Sequence, residues 1–251
     1  MLSKNKIKYI HSLELKKNRI AERAFVAEGN KLVADMLPFF SCKLLVAKPC
    51  WMATLGDISA EELLVAEEED IRKASFLKNP QDVLAVFAMP DWQIETASPQ
   101  QDLVLALDGI QDPGNLGTIL RAGEGAGVTG VVMNEATADI YNPKVIRSTM
   151  GSIYRMPFVY VDQLPEVVSM LSGSGIRTYA AHLDGKNSYE KENYKKGTAF
   201  LIGNEGNGLR KETADAADIY VRIPMCGKVE SLNAAIASSV LMFEAARQRR
   251  E

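Results

Sequence analysis

Three short segments of this 251-residue chain carry residue types able to do chemistry. Residues 201–209, L-I-G-N-E-G-N-G-L, run an apolar stretch into a loop with Gly203, Gly206 and Gly208 and one carboxylate, Glu205. Glycine lets a backbone take positive φ or press against a ligand, so the loop reads as a place where something is held. Residues 108–127, D-G-I-Q-D-P-G-N-L-G-T-I-L-R-A-G-E-G-A-G, follow the apolar run 103–107 and offer Asn115 and Arg121. Residues 223–233, I-P-M-C-G-K-V-E-S-L-N, follow the run 219–222 and offer Ser231 and Asn233. Each unit reads as strand, loop and helix, with polar groups at the carboxyl end of the strand, where open α/β sheets bind ligands.

Asn115 sits where a helix N-cap belongs, and a plain cap is one reading of it. Arg121 lies among Ala122, Gly123, Gly125, Ala126 and Gly127. A guanidinium fork in such surroundings suits a phosphate or carboxylate partner; an ion pair with Glu124 or Glu205 is the alternative. Residues 125–130, G-A-G-V-T-G, match a dinucleotide fingerprint by letter only. That fingerprint must leave a strand and open a helix, whereas this one closes a helix and enters a strand, so the glycines read as a helix end.

The elements that must position these groups fall into two parts. Up to residue 94, a basic helix through Lys17, strands at 24–28, 43–47 and 83–87, a helix from Asn30 to Leu37, a short apolar run at 63–66 and an acidic helical stretch from Glu67 describe a small α/β domain. Residues 95–102, E-T-A-S-P-Q-Q-D, are polar, contain Pro99 and have no apolar period, which makes them a linker. Residues 103–251 form the second domain, with strands at 103–107, 130–133, 158–161, 178–181, 199–202 and 219–223. Asn142 caps a helix opened by Pro143. The last helix, 231–247, has apolar residues on nearly every face and so suits burial on more than one side, against a second subunit.

Composition bounds the function. With 47% hydrophobic and 24% charged residues and a net charge of −3, the chain is globular and not generally basic. Locally, Lys4, Lys6, Lys8, Lys16, Lys17, Arg19 and Arg23 face only Glu14 and Glu22, either as a solvated helical face or as a patch for a polyanion. Cys42, Cys50 and Cys226 make no disulfide framework and fit a reducing cytoplasm. The N-terminus has no apolar signal region, and no stretch is apolar enough to span a bilayer. His11 and His182, far apart and without cysteine partners, argue against a metal site.

Asn115 with Arg121, the G-N-E-G-N-G-L loop with Glu205, and I-P-M-C-G-K-V-E-S-L-N with Ser231 and Asn233 resemble, in order and spacing, the three motifs of the SpoU (TrmH-like) RNA ribose 2′-O-methyltransferases of the SPOUT superfamily. The resemblance covers most of 103–251. The run N-P-K-V-I-R-S-T-M-G-S at 142–152 is similar to a segment carried by ribosomal RNA members, and residues 1–94 are similar in size and element order to their ribosomal-protein-like RNA substrate-binding domain.

The resemblance implies a mostly parallel α/β sheet with a C-terminal trefoil knot, a homodimer joined by its C-terminal helices, and S-adenosylmethionine held around Leu201, Gly203, Ile223, Met225 and Leu232. It implies catalytic roles for Asn115, Arg121, Glu205, Ser231 and Asn233. RNA phosphates would be met by Lys4, Lys6, Lys8, Lys144, Arg147 and Arg155. Ribosomal RNA of the large subunit is the favoured substrate over transfer RNA; a non-catalytic RNA-binding or ribosome-assembly protein is the rival from another class.

Overall fold

A computed structural model describes residues 2–56, 59–90, 102–204 and 206–250. Glu205 and most of the expected linker 95–102 lie outside the described residues. In chain order the elements begin with helices α1 (Lys4–Ser12) and α2 (Lys16–Glu22), strand β1 (Ala24–Glu28), α3 (Asn30–Met36), β2 (Cys42–Ala47), α4 (Pro49–Met52), β3 (Leu63–Val65), α5 (Glu68–Ala74) and β4 (Val83–Ala88). They continue with β5 (Leu103–Asp108), α6 (Pro113–Ala126), β6 (Gly130–Asn134), α7 (Pro143–Ser148), β7 (Phe158–Val161), α8 (Leu164–Gly173), β8 (Arg177–Ala181), β9 (Asn187–Ser188), β10 (Thr198–Gly203), α9 (Lys211–Asp215), β11 (Ile219–Arg222) and α10 (Ala234–Arg250).

The chain divides into two compact units, one of Met1–Asp91 with Asp139–Tyr154 and one of Trp92–Ala138 with Arg155–Glu251. Residues 139–154 therefore group with the N-terminal unit, not with 155–251 as their place in the sequence suggested. The cause is local. Arg19, 2% exposed, donates from Nε to Asp139 Oδ2 at 3.0 Å and from Nη1 to the carbonyls of Leu13 (2.7 Å) and Glu14 (2.6 Å). Tyr141 stacks obliquely on Phe25 with ring centroids 4.8 Å apart, and Tyr154 lies flat on Phe39 at 4.3 Å. A buried guanidinium needs its charge answered, and Asp139 answers it.

Within the N-terminal unit the sheet order is β1-β4-β2-β3, with β4 antiparallel to both neighbours and β2 parallel to β3. Val26, Leu44, Val46, Leu84 and Val86 on one face pack with Ile10 and Leu13 from the first helices and Ile71 of α5. Ser3 caps α1 through its hydroxyl and Asn142 caps α7, accepting from the Lys144 N–H.

The second unit carries a seven-stranded, all-parallel sheet in the order β7-β6-β5-β10-β8-β11-β9. Every residue of β5 is buried, as expected of a central parallel strand covered on both faces. Gly127, at φ +81°, ends α6 with Val128 N–H bonding back to Gly123, so the fingerprint-like glycines do close a helix. An unusual feature is β11, which pairs with β8 on one edge and β9 on the other. Residues 182–186, which join β8 to β9, must therefore cross β11, and a Cβ at Gly185 would meet the Val221 carbonyl carbon at 2.6 Å. The two-residue β9 is too short and polar to be read from periodicity.

Candidate functional site

Loops leaving β5, β10 and β11 converge at the carboxyl ends of the parallel strands. The glycine loop folds back on itself: Asn204 and Gly208 exchange backbone hydrogen bonds at 3.0 and 2.8 Å. A Cβ at Gly203 would stand 2.2 Å from both Gly208 C and Leu209 N, so only glycine fits the start of this turn. Gly208 takes φ +68° to close it.

This loop and residues 222–232 wall a cavity of about 500 Å³. Of the residues expected to hold a cofactor, Gly203, Ile223, Met225 and Leu232 line it; Leu201 is buried within β10 and does not. Ser231 also faces the cavity. Sequence reasoning missed His182, Leu183 and Asp184, which line it from the crossing segment after β8. Their contribution depends on that crossing, which no local pattern announces. The mixture of apolar walls (Ile202, Ile223, Met225, Leu241) with loop backbone and a few polar side chains is that of a small-molecule site.

Asn115 and Asn233 meet directly: Asn233 Nδ2 donates to Asn115 Oδ1 at 3.0 Å. Asn233 Oδ1 accepts from the N–H groups of Ala235 (3.0 Å) and Ile236 (3.3 Å), so this side chain starts α10 while its amide reaches α6. Asn115 is not the cap of α6. Asp112 is, accepting from the Asn115 N–H at 2.8 Å, which leaves the Asn115 amide for other contacts. Arg121 is exposed on α6 and makes no ion pair among the described residues. Its proposed partner Glu124 is taken by Arg155 Nε at 2.7 Å. Glu205 falls outside the described residues.

A buried polar cluster holds the loops in place, and it too escaped sequence reasoning. Asp108, 2% exposed, ends β5. It accepts from Asn134 Nδ2, from Arg210 Nε at 2.8 Å and from the Arg210 N–H at 3.0 Å. Asn134 Oδ1 and Thr137 Oγ1 in turn accept from the N–H of Gly109, at 3.0 and 3.2 Å. Asn204 Nδ2 donates to the Gly109 carbonyl at 3.0 Å. The available signal was a carboxylate or amide ending each of two apolar runs, L-V-L-A-L-D and V-V-M-N.

The expected RNA-contacting residues are split. Lys4 and Lys8 are exposed on α1, and Lys144 and Arg147 are exposed on α7 in the same unit. Lys6 is ion-paired with Glu62, and Arg155 lies in the other unit, paired with Glu124. Arg19, counted in the basic patch from sequence, is buried and unavailable to a ligand. Among the described residues there is no His/Cys/Asp/Glu cluster able to hold a metal, and no helix long and apolar enough to cross a membrane.

Comparison with known proteins follows the two units. The family profile of the SpoU rRNA Methylase family matches residues 102–243, and that of the MRM3-like substrate binding domain matches residues 4–85. The chain is 31% identical to the 23S rRNA (guanosine(2553)-2'-O)-methyltransferase RlmP of Bacillus subtilis, over 95% of its own length and 94% of that protein's. A TrmH-family structure from Porphyromonas gingivalis superposes with a TM-score of 0.88 at 36% identity, covering 100% of this chain and 99% of the other. An AdoMet-bound rRNA methyltransferase from Sinorhizobium meliloti superposes with a TM-score of 0.85 at 34% identity, covering 98% and 96%.

Proposed function

The chain belongs to the SpoU rRNA Methylase family, and from that premise we propose that it transfers the methyl group of S-adenosylmethionine to a ribose 2′-hydroxyl of RNA, with 23S ribosomal RNA as the substrate. The observation that carries the reading is the cavity bounded by the glycine loop and residues 222–232, with the Asn233–Asn115 hydrogen bond made by the residue between the lining residues Leu232 and Ala234. The residues present fit the cofactor. The tight turn from Gly203 to Gly208 brings loop backbone into the cavity wall, and Ile223, Met225 and Leu232 offer apolar surface for a flat purine. When bound, S-adenosylmethionine supplies an electrophilic methyl on a sulfonium.

What the protein must add is geometry. Methyl transfer needs the attacking oxygen in line at roughly 3–3.5 Å, and such positioning removes much of the barrier. Arg121 offers hydrogen-bond donors and no acceptor, so it serves as a bidentate clamp on an RNA phosphate and not as the proton acceptor. The 2′-hydroxyl proton then passes to phosphate or to water. Asn115, fixed by Asn233, and Ser231 hold the ribose, with Glu205 as a further support for the Asn115 loop. Leu201 is buried in the core beneath β10 and is left out of the set that would hold the cofactor.

RNA capture falls to the N-terminal unit: Lys4 and Lys8, with Lys144 and Arg147, meet phosphates, Arg155 adds a contact from the second unit, and Lys6 contributes less because of Glu62. The crossing of β11 by residues 182–186 is the feature we read as the trefoil knot. Exposed Ile236 and Phe243, seven residues apart on α10, supply an apolar face for a homodimer, and the substrate and free cysteines agree with a cytoplasmic protein. The test is to supply labelled S-adenosylmethionine with ribosomal or transfer RNA from cells lacking the protein. A 2′-O-methyl mark in 23S RNA is expected; a mark confined to transfer RNA would overturn the substrate assignment.

A further inference from the structure

The glycine loop is tied at both ends to two consecutive residues at the point where β5 passes into the loop leading to α6. At its start, Asn204 Nδ2 holds the Gly109 carbonyl at 3.0 Å; at its end, Arg210 holds Asp108 by Nε at 2.8 Å and by its backbone N–H at 3.0 Å. Between them lie the residues that wall the cavity: Asn204, Gly206, Asn207 and Gly208. On the other side, Gly109 at φ +72° is pinned through its N–H by Asn134 and Thr137, and three residues on Asp112 caps the helix that carries Asn115 and Arg121.

The Asp108 carboxylate is buried, and Asn134 and Arg210 engage its two oxygens. Arg210 itself is half-exposed, with a side-chain exposure of 45%. A half-exposed arginine is not required to fill the core. Its Nε reaches inward because a desolvated carboxylate needs a charged donor, while Nη1 lies 3.5 Å from the exposed Glu212 carboxylate.

Resting on the methyltransferase reading, we infer that Arg210 is a positioning residue. It joins the cavity wall and the start of the Asn115–Arg121 segment into one body, so that binding in the cavity and the placement of the RNA-facing side chains are coupled. Arg210 lies one residue beyond the G-N-E-G-N-G-L motif and does not line the cavity.

Two variants and two readouts test this. Arg210→Met keeps the aliphatic stem and the backbone N–H bond but removes the Nε donor; Arg210→Lys restores one charged donor. In the full-length protein, Arg210→Met is expected to raise the dissociation constant for S-adenosylmethionine about tenfold and to lower kcat by a similar factor, with the KM for RNA unchanged. Arg210→Lys should recover more than half of both losses. Hydrogen exchange without cofactor should speed up in 109–116 and 206–209 together in Arg210→Met. Unchanged cofactor affinity and kcat would overturn the inference, as would a loss that tracks a fall in Tm and is not recovered by lysine. Should the wild type bind no S-adenosylmethionine while exchange still rises jointly in the two segments, the tether stands and the cofactor reading falls.

Discussion

The two sheets bury their polar groups in different places. In the N-terminal unit Arg19, the most deeply buried charge among its described residues, serves to hold residues 139–154; Lys4 and Lys8 remain in solvent. In the second unit, Asp108, Asn134 and Thr137 are buried at the carboxyl ends of neighbouring strands, where ligand loops begin. Long flexible side chains in water attract a polyanion with little demand on geometry. Groups fixed by two or three hydrogen bonds in low dielectric hold atoms to fractions of an ångström, which group transfer needs. On the proposed function, one unit suits capture and the other alignment.

The sharpest way to break that contrast is at Gly203. Gly203→Ala puts a Cβ onto the backbone of residues 208–209, and we expect S-adenosylmethionine binding to fall by at least about 100-fold, measured calorimetrically. Gly127→Ala is the control: nothing lies within 4 Å of its Cβ, so only the left-handed φ is strained, at about 1–2 kcal/mol, with binding retained. Next, Arg121→Ala should lower kcat by about 100-fold or more while the cofactor dissociation constant stays within about twofold; Arg121→Lys should recover only a small part, because a lysine cannot form the fork.

A third test concerns the N-terminal unit. Arg19→Met leaves Asp139 without its partner, and loss of a largely buried pair is expected to destabilise this unit by about 3 kcal/mol, seen as an early melting transition with cofactor affinity preserved. Fourth, Lys4→Gln with Lys8→Gln should weaken RNA binding and reduce the slope of log affinity against log salt by about 1.4, on roughly 0.7 per single-strand phosphate contact. Lys6→Gln should add little, since Glu62 already occupies it. The smallest effect is at Glu28, whose carboxyl is pushed above the ordinary value by burial, against hydrogen bonds from Ser75 and the Phe76 N–H. The folded state then holds the proton more tightly than the unfolded one, so stability declines as pH rises above about 4.3 toward the folded value. Glu28→Gln should flatten that decline in a pH series of Tm.

Much of this was legible beforehand. Apolar runs at 24–28, 83–87 and 103–107 are strands to within a residue or two, because buried strands are continuous in hydrophobicity. The three motif loops converge as their spacing suggested, and the Asn115–Asn233 contact joins residues 118 apart. What was not legible depends on such long closures. Arg19 looks like one more base on a charged helix until Asp139, 120 residues later, is placed against it. Asn115 looks like a helix cap because Asp112, three residues earlier, can do the same job with its carboxylate. Asp108, Asn134, Asn204 and Arg210 acquire meaning only when the strands that carry them lie side by side.

On the proposed function, the cavity and the Asn115–Arg121 segment act together in RNA 2′-O-methylation. The most direct test is transfer of label from S-adenosylmethionine to 23S RNA by the wild type and by Arg121→Ala, each with its cofactor affinity measured. A mapped ribose mark is expected with the wild type and none detectable with Arg121→Ala, at matched cofactor binding. A mark of equal yield from both proteins would contradict it.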